Sequence, residues 1–220
     1  MVTLCLLYNI SCHLLKFHKL KEKNEKYLHL HLRYIMNTKI INLVGSPSSG
    51  KSLIAALLFA ELKMMHKRAE YVQEYAKTLV WQNRLDELAN QYNVTTEQYK
   101  MIKAVNNKVE YICLDSPLLL GLYYNRYHPD NVSNVEKTEK MILNRIEEFD
   151  NIYIFIERNK EFPYELEGRI HNEKESDEIS FKLLDILKEF ELPFKSFKSD
   201  KSNIHDMMEY ILNVPSSVKV

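Results

Sequence analysis

The sequence predicts an α/β fold in three layers, with helices on both faces of a mostly parallel sheet of about five strands. Three observations carry that expectation. From Lys39 onward, short apolar runs alternate with longer stretches of helical periodicity, as in successive βαβ units. A loop holding two of the chain's four glycines lies between the first apolar run and the first helical stretch. The 220 residues, 45% of them hydrophobic, suffice to bury one substantial core but not two full-sized ones, so one domain is expected.

Taken in order, the first strand is expected over 40–44, apolar except for Asn42, and the helix after the loop over 52–66. A weaker apolar run at 69–72 gives a second strand. Helical periodicity then returns over 86–107, with a break near Asn93. The run at 109–114, which contains Cys113, reads as a buried strand; helices over 118–124 and 135–149 follow. A fourth strand is expected at 152–156, a helix at 176–190 and a short last strand near 194–197. Residues 1–35 stand apart as an N-terminal extension: an apolar stretch from Val2 to Leu15, then basic, His-containing sequence. The apolar part is too short and too polar for a bilayer span, and it lacks a basic leader and a small-residue cleavage site. It is read as a peripheral segment or the product of an upstream start codon, since Met36 precedes the first strand.

Thirty Lys and Arg balance thirty Asp and Glu, so no global positive field is available to hold nucleic acid or an anionic membrane. Cys5, Cys12 and Cys113 form no metal-ligand spacing and fit a reducing, cytoplasmic setting; His13, His18, His29 and His31 lack i, i+4 pairing and read as surface residues.

Gly45-Ser46-Pro47-Ser48-Ser49-Gly50-Lys51-Ser52 fits G-x-x-x-x-G-K-[ST] and stands between a strand and a helix, the context that gives the motif meaning. Its glycines let successive backbone N–H groups turn toward a phosphate at the positive end of the helix. Lys51 is expected on the β- and γ-phosphates of ATP and the Ser52 hydroxyl on Mg²⁺. Residues 36–220 are therefore read as a P-loop domain of the three-layer α/β/α kinase kind.

Absent motifs narrow the class. Neither Asn106-Asn107-Lys108-Val109-Glu110 nor Asn159-Lys160-Glu161-Phe162 supplies the Asp of a GTPase N-K-x-D. The strand ending in Asp115-Ser116-Pro117 lacks the Asp-Glu of an AAA+ machine, and the chain is short for such a machine's helical lid domain. Kinase features remain. Glu74, just past the second strand, is placed to accept a proton from an attacking hydroxyl; its alternative is a helix-start Glu favoured by the macrodipole. Asp115, ending a strand beside the loop, is expected to hold Mg²⁺ or to share the base role; its alternative is a helix cap. Residues around 157–175 read as a closing lid, with Arg158 and Arg169 as the better candidates for charge on the transferring phosphoryl group and Lys160 behind them. Trp81, Tyr71, Tyr75, Tyr123 and Tyr124 either stack on an acceptor base or fill the core.

The segments Ile41 to Ser52, Glu74-Tyr75-Ala76-Lys77-Thr78-Leu79-Val80-Trp81, Leu114-Asp115-Ser116-Pro117-Leu118-Leu119 and Gly168-Arg169, in that order, resemble phage-encoded P-loop kinases related to thymidylate and nucleoside kinases, a group also labelled AAA-domain or NadR-like. The resemblance covers about 36–200 and implies a Mg²⁺- and ATP-dependent kinase acting on a nucleoside-like hydroxyl. In some members of that family the acceptor is 5-hydroxymethyluracil in phage DNA, which would make the setting a host cytoplasm. The P-loop interior Ser-Pro-Ser-Ser, and Leu53-Ile54 after it, depart from the family's glycine-rich and small residues. A homodimer is compatible with the sequence. Two other classes stay in view: an ATPase or nucleotide switch acting through a protein partner, and a P-loop module that binds nucleotide without turnover.

Overall fold

The structure is a computed structural model and describes residues 37–167 and 170–215. The expectations for residues 1–35, and for Gly168 and Arg169, lie outside the described residues.

The first strand, β1 (Lys39–Val44), runs into the Gly45 to Ser52 loop and helix α1 (Lys51–Met64). Then come β2 (Ala69–Val72), α2 (Tyr75–Trp81), the single turn α3 (Leu85–Leu88) and α4 (Gln91–Val105). The chain continues through β3 (Tyr111–Leu114), α5 (Leu118–Tyr127), α6 (Val135–Ile146) and β4 (Asp150–Glu157). It closes with α7 (Glu173–Glu189), β5 (Phe194–Lys198), a 3-10 turn (Lys201–Asn203) and α8 (Ile204–Asn213). The sheet is parallel throughout, in the order β2-β3-β1-β4-β5.

Alternation along the strands divides the core into two layers. Ile40 and Val44 face α4, α5, α6 and α7, whereas Ile41 and Leu43 face α1 and α8. Strand β4 repeats the pattern, with Tyr153 and Phe155 on the first side and Ile152, Ile154 and Ile156 on the second. Both faces of the central strands are thus covered by helices, which explains their nearly continuous apolar runs. After β1 the chain moves outward to β2, returns to β3, and crosses β1 to reach β4. The carboxyl end of β1 is therefore the switch point of the sheet, where a crevice opens.

The helical block expected over 86–107 breaks at Ala89 and Asn90 and not near Asn93. The Asn90 side chain accepts the Asn93 N–H at 3.1 Å, which starts α4 there and puts Asn93 inside the helix. Strand β3 begins at Tyr111, two residues inside the expected run, because Asn107 sits at φ 62 in a turn whose N–H is taken by the Thr38 hydroxyl. Helices α2 and α8 are additional to the expected elements. Among the described residues, no helix is long and apolar enough to cross a membrane.

Candidate phosphate and acceptor site

The loop from Gly45 to Ser52 turns sharply at the switch point, and two residues take the left-handed backbone to do it, Ser48 at φ 59 and Gly50 at φ 89. Gly45 is required for a different reason: a Cβ there would come within 2.8 Å of the Ile156 carbonyl in the neighbouring strand. Helix α1 has no acidic residue in its first turn, so the positive end of its dipole is left for an anion. Lys51 lies back across the loop, its Nζ donating to the Ser46 carbonyl at 2.8 Å.

Loop and helix α7 are joined. Ser176, fully buried on α7, donates to the Pro47 carbonyl at 2.6 Å and lies 2.9 Å from the Ser46 hydroxyl. From the segment between β4 and α7, the Glu165 N–H donates to the Ser48 hydroxyl at 3.2 Å.

At the base of the loop, the Ser52 hydroxyl donates to Asp115 Oδ2 at 2.9 Å, and the Tyr71 phenol donates to the same oxygen at 2.7 Å. Asp115 is 3% exposed, and its second oxygen, Oδ1, is buried without a hydrogen-bond partner. Burial raises the Tyr71 phenol well above its ordinary range, the Asp115 carboxylate adding to this, so Tyr71 is a fixed donor. A buried carboxylate oxygen left without a donor costs about 1–3 kcal/mol or more. A divalent cation, which prefers oxygen ligands, would meet it. Ser52 and Asp115 are the residues that could hold it there; among the described residues no group of three or more His, Cys, Asp and Glu forms a metal cluster.

A cleft of about 470 Å³ is lined by Pro47, Ser48, Ser49, Gly50, Lys51 and Ser52 of the loop, by Glu74, and by Asn159, Phe162 and Pro163 from the segment after β4. Leu88, Val94, Leu118 and Leu120 also line it, with Gln91, Thr95 and Gln98 from one face of α4 and Tyr124 from α5. Glu74 sits at the N-cap of α2, where its side chain makes no capping hydrogen bond. Burial raises the Tyr124 phenol, and the Glu74 charge adds to the shift. His171 and Tyr124 meet with ring centroids 6.0 Å apart at the lid side.

Lys51, Ser52 and Glu74 thus line one cleft, and Asp115 joins them through Ser52. Arg158 is placed elsewhere: its side chain is 7% exposed and bonded to Glu173 at 2.6 Å and Asp177 at 3.3 Å on α7. Lys160 pairs with Asp177 at 3.0 Å. Of the aromatic candidates, Tyr124 lines the cleft, Tyr71 holds Asp115, Tyr123 lies in the core and Tyr75 packs beside Leu79 and Leu88; Trp81 is 64% exposed. Gln98, Ser176 and His171 belong to the site and carry no linear motif.

A family model described as "AAA domain" matches residues 40–202. Strand β3 is nevertheless followed by Asp115-Ser116, without the Asp-Glu pair of an AAA+ machine. No curated protein matches the chain in sequence. Among solved structures, NadR protein in complex with NAD and AMP-PNP superposes with a TM-score of 0.58 at 16% identity, covering 86% of this chain and 53% of that one. NadR in complex with NR gives 0.55 at 17% identity over the same shares. Deoxyadenosine kinase from M. mycoides, with dCMP and dCDP bound, gives 0.56 at 18% identity and covers 80% of this chain and 100% of that one. The present chain spans about half the length of NadR, 53%. At these identities the likeness shows the fold, that of a P-loop kinase.

Proposed function

Since this chain belongs to the AAA-domain family, and a P-loop and a carboxylate share one cleft in it, we propose that it is an ATP-dependent phosphotransferase acting on the hydroxyl of a nucleoside-like acceptor. The observation that carries the reading is the cleft itself: about 470 Å³, lined by Lys51 and Ser52, by Glu74, and by apolar side chains with the neutral amides Gln91 and Gln98. Loop N–H groups and Lys51 hold the β- and γ-phosphates. Ser52 and Asp115 would hold Mg²⁺, with Asp115 Oδ1 as the open donor. The ion would offset the charge that builds on the phosphates. Glu74 takes the acceptor proton as that oxygen attacks the γ-phosphorus; the bond to the β–γ bridging oxygen breaks and ADP leaves. With Asp115 already accepting from Ser52 and Tyr71, the base role falls to Glu74 and the metal role to Asp115.

The test is transfer of labelled γ-phosphate, with Mg²⁺, to free nucleosides, thymidine monophosphate, nicotinamide riboside, ordinary DNA and DNA containing 5-hydroxymethyluracil. Lys51→Ala is expected to lower transfer by about 10²-fold or more, since it removes a cation from the developing charge. Label on a free nucleoside assigns a small-molecule acceptor, and label on the modified DNA alone assigns the polymer. Phosphate released only to water, whatever the acceptor, overturns the kinase reading in favour of an ATPase or switch.

A further inference from the structure

Helix α4 contributes more than a wall to the cleft. Gln98 is 5% exposed, and its amide is spent on two backbone groups that flank Glu74: Oε1 accepts the Tyr75 N–H at 2.8 Å, and Nε2 donates to the Gln73 carbonyl at 3.1 Å. These groups occur where β2 has ended and α2 has begun, a stretch of backbone that neither the sheet nor a helix holds. The Glu74 side chain makes no capping hydrogen bond to α2. From the structure we infer that Gln98 is a positioning residue for Glu74: it fixes the backbone on both sides and so sets the place from which the carboxylate reaches into the cleft. The inference rests on the reading of Glu74 as base and goes beyond it.

The chemistry of the pair selects the residue. One partner is an acceptor and the other a donor, so a neutral amide satisfies both at once. A carboxylate of the same shape accepts from Tyr75 but repels the Gln73 carbonyl, and an apolar side chain makes neither bond. Gln98 also lines the cleft, on the same face of α4 as Gln91 and Thr95. An acceptor seated against that face therefore touches the residue that holds the base, so occupancy at the acceptor end bears directly on the alignment of Glu74.

The test joins a kinetic cycle to a backbone measurement. Gln98→Leu and the isosteric Gln98→Glu are compared with Glu74→Gln and with each double variant. The single Gln98 changes are expected to lower kcat for transfer between about tenfold and a hundredfold, the range of a misaligned catalytic group, with KM for ATP unchanged. In the Glu74→Gln background they lower kcat no further, because the group they position is gone. Losses that multiply in the double variants, or a matching rise in KM for ATP, overturn the inference by showing a general structural role. Amide exchange at Tyr75, measured on the same proteins, is expected to quicken in Gln98→Leu, which removes its acceptor, and to stay close to wild type in Gln98→Glu, which keeps it. Unchanged exchange in Gln98→Leu overturns the inference whatever the kinetics show. Should the wild type transfer phosphate to no acceptor, the kinase reading fails and the catalytic half of the inference with it, while quickened exchange at Tyr75 would still assign the clamp to Gln98. Gln98→Glu, which keeps one bond and the side-chain volume, covers the case in which Gln98→Leu does not fold.

Discussion

At Gly50 the requirements of folding and of phosphate binding coincide. Its φ of 89 is left-handed, and a Cβ built there would meet the Ser199 hydroxyl at 1.9 Å. Gly50→Ala is accordingly expected to cost about 1–3 kcal/mol of stability, the range for a strained backbone position, before any effect on nucleotide. Urea denaturation checks it, and a loss below a few tenths of a kcal/mol would mean that the loop relaxes around the new methyl. This residue, Lys51, Ser52 and Asp115 are legible in the sequence because the spacing of the motif is local and Asp115 ends an apolar run. Gln98 and Ser176 are not. Gln98 bonds backbone 23 and 25 residues away, and Ser176 bonds the loop across 129 residues, so nothing in their own neighbourhoods marks them. The one hint was a stripe at positions 91, 95 and 98, polar side chains at helical spacing that look like a solvated face until α4 is docked against β2.

Among elements, helix α7 is the most informative, because its N-terminal turn bonds the loop and the segment that follows β4. Asn172 and Glu175 form a reciprocal capping box, with Asn172 accepting the Glu175 N–H at 3.0 Å and Glu175 accepting the Asn172 N–H at 2.8 Å. Just before it, half-buried His171 lines the cleft. Burial pushes its imidazole below the ordinary value of 6.5; the His128 charge lowers it further, and Glu175 opposes the shift. The unfolded chain therefore binds the proton first as pH falls. His171 carries no penalty above about pH 6.5, and it destabilises the fold progressively as pH drops from there toward its folded value. His171→Asn is expected to flatten the loss of stability between about pH 6.5 and 5 relative to wild type, measured by denaturation at several pH values. Parallel curves for the two proteins would show that His171 does not titrate in that window. Helix boundaries were less legible than helix existence, and α2 was missed for a physical reason: Tyr75–Trp81 is short, contains Tyr, Thr, Val and Trp, which favour strands, and buries only Leu79 fully. Helix α8 carries Ile204, Met207, Met208 and Ile211 at i, i+3, i+4 and i+7, a period that the sequence does display.

For the molecule as a whole, the count of strands and their parallel sense follow from the alternating pattern, but their order does not. Nothing in the run at 69–72 says that it becomes the edge strand β2 with β3 interposed before β1; that depends on which crossover helix covers which face. The order has a functional consequence. It puts β1 in the centre, so that the phosphate loop touches β3 through Ser52 and Asp115, β4 through Gly45, α7 through Ser176 and the lid through Ser48. A ligand on that loop binds to most of the fold at once, and binding free energy is shared by the whole cooperative unit. At a hundred times its Kd, Mg·ATP is expected to stabilise the native state by about 2.7 kcal/mol. For a domain of this size that corresponds to a rise in Tm of roughly 5–11 °C. Lys51→Ala and Asp115→Asn are expected to reduce the rise at the same ligand concentration, and the Asp115 variant should also lose the difference between ATP with Mg²⁺ and ATP with chelator. An unchanged Tm in the wild type at millimolar Mg·ATP would deny a nucleotide site on this loop, and with it every chemical role assigned to the cleft. A full rise in Asp115→Asn would leave the nucleotide site standing but remove the buried carboxylate from its metal.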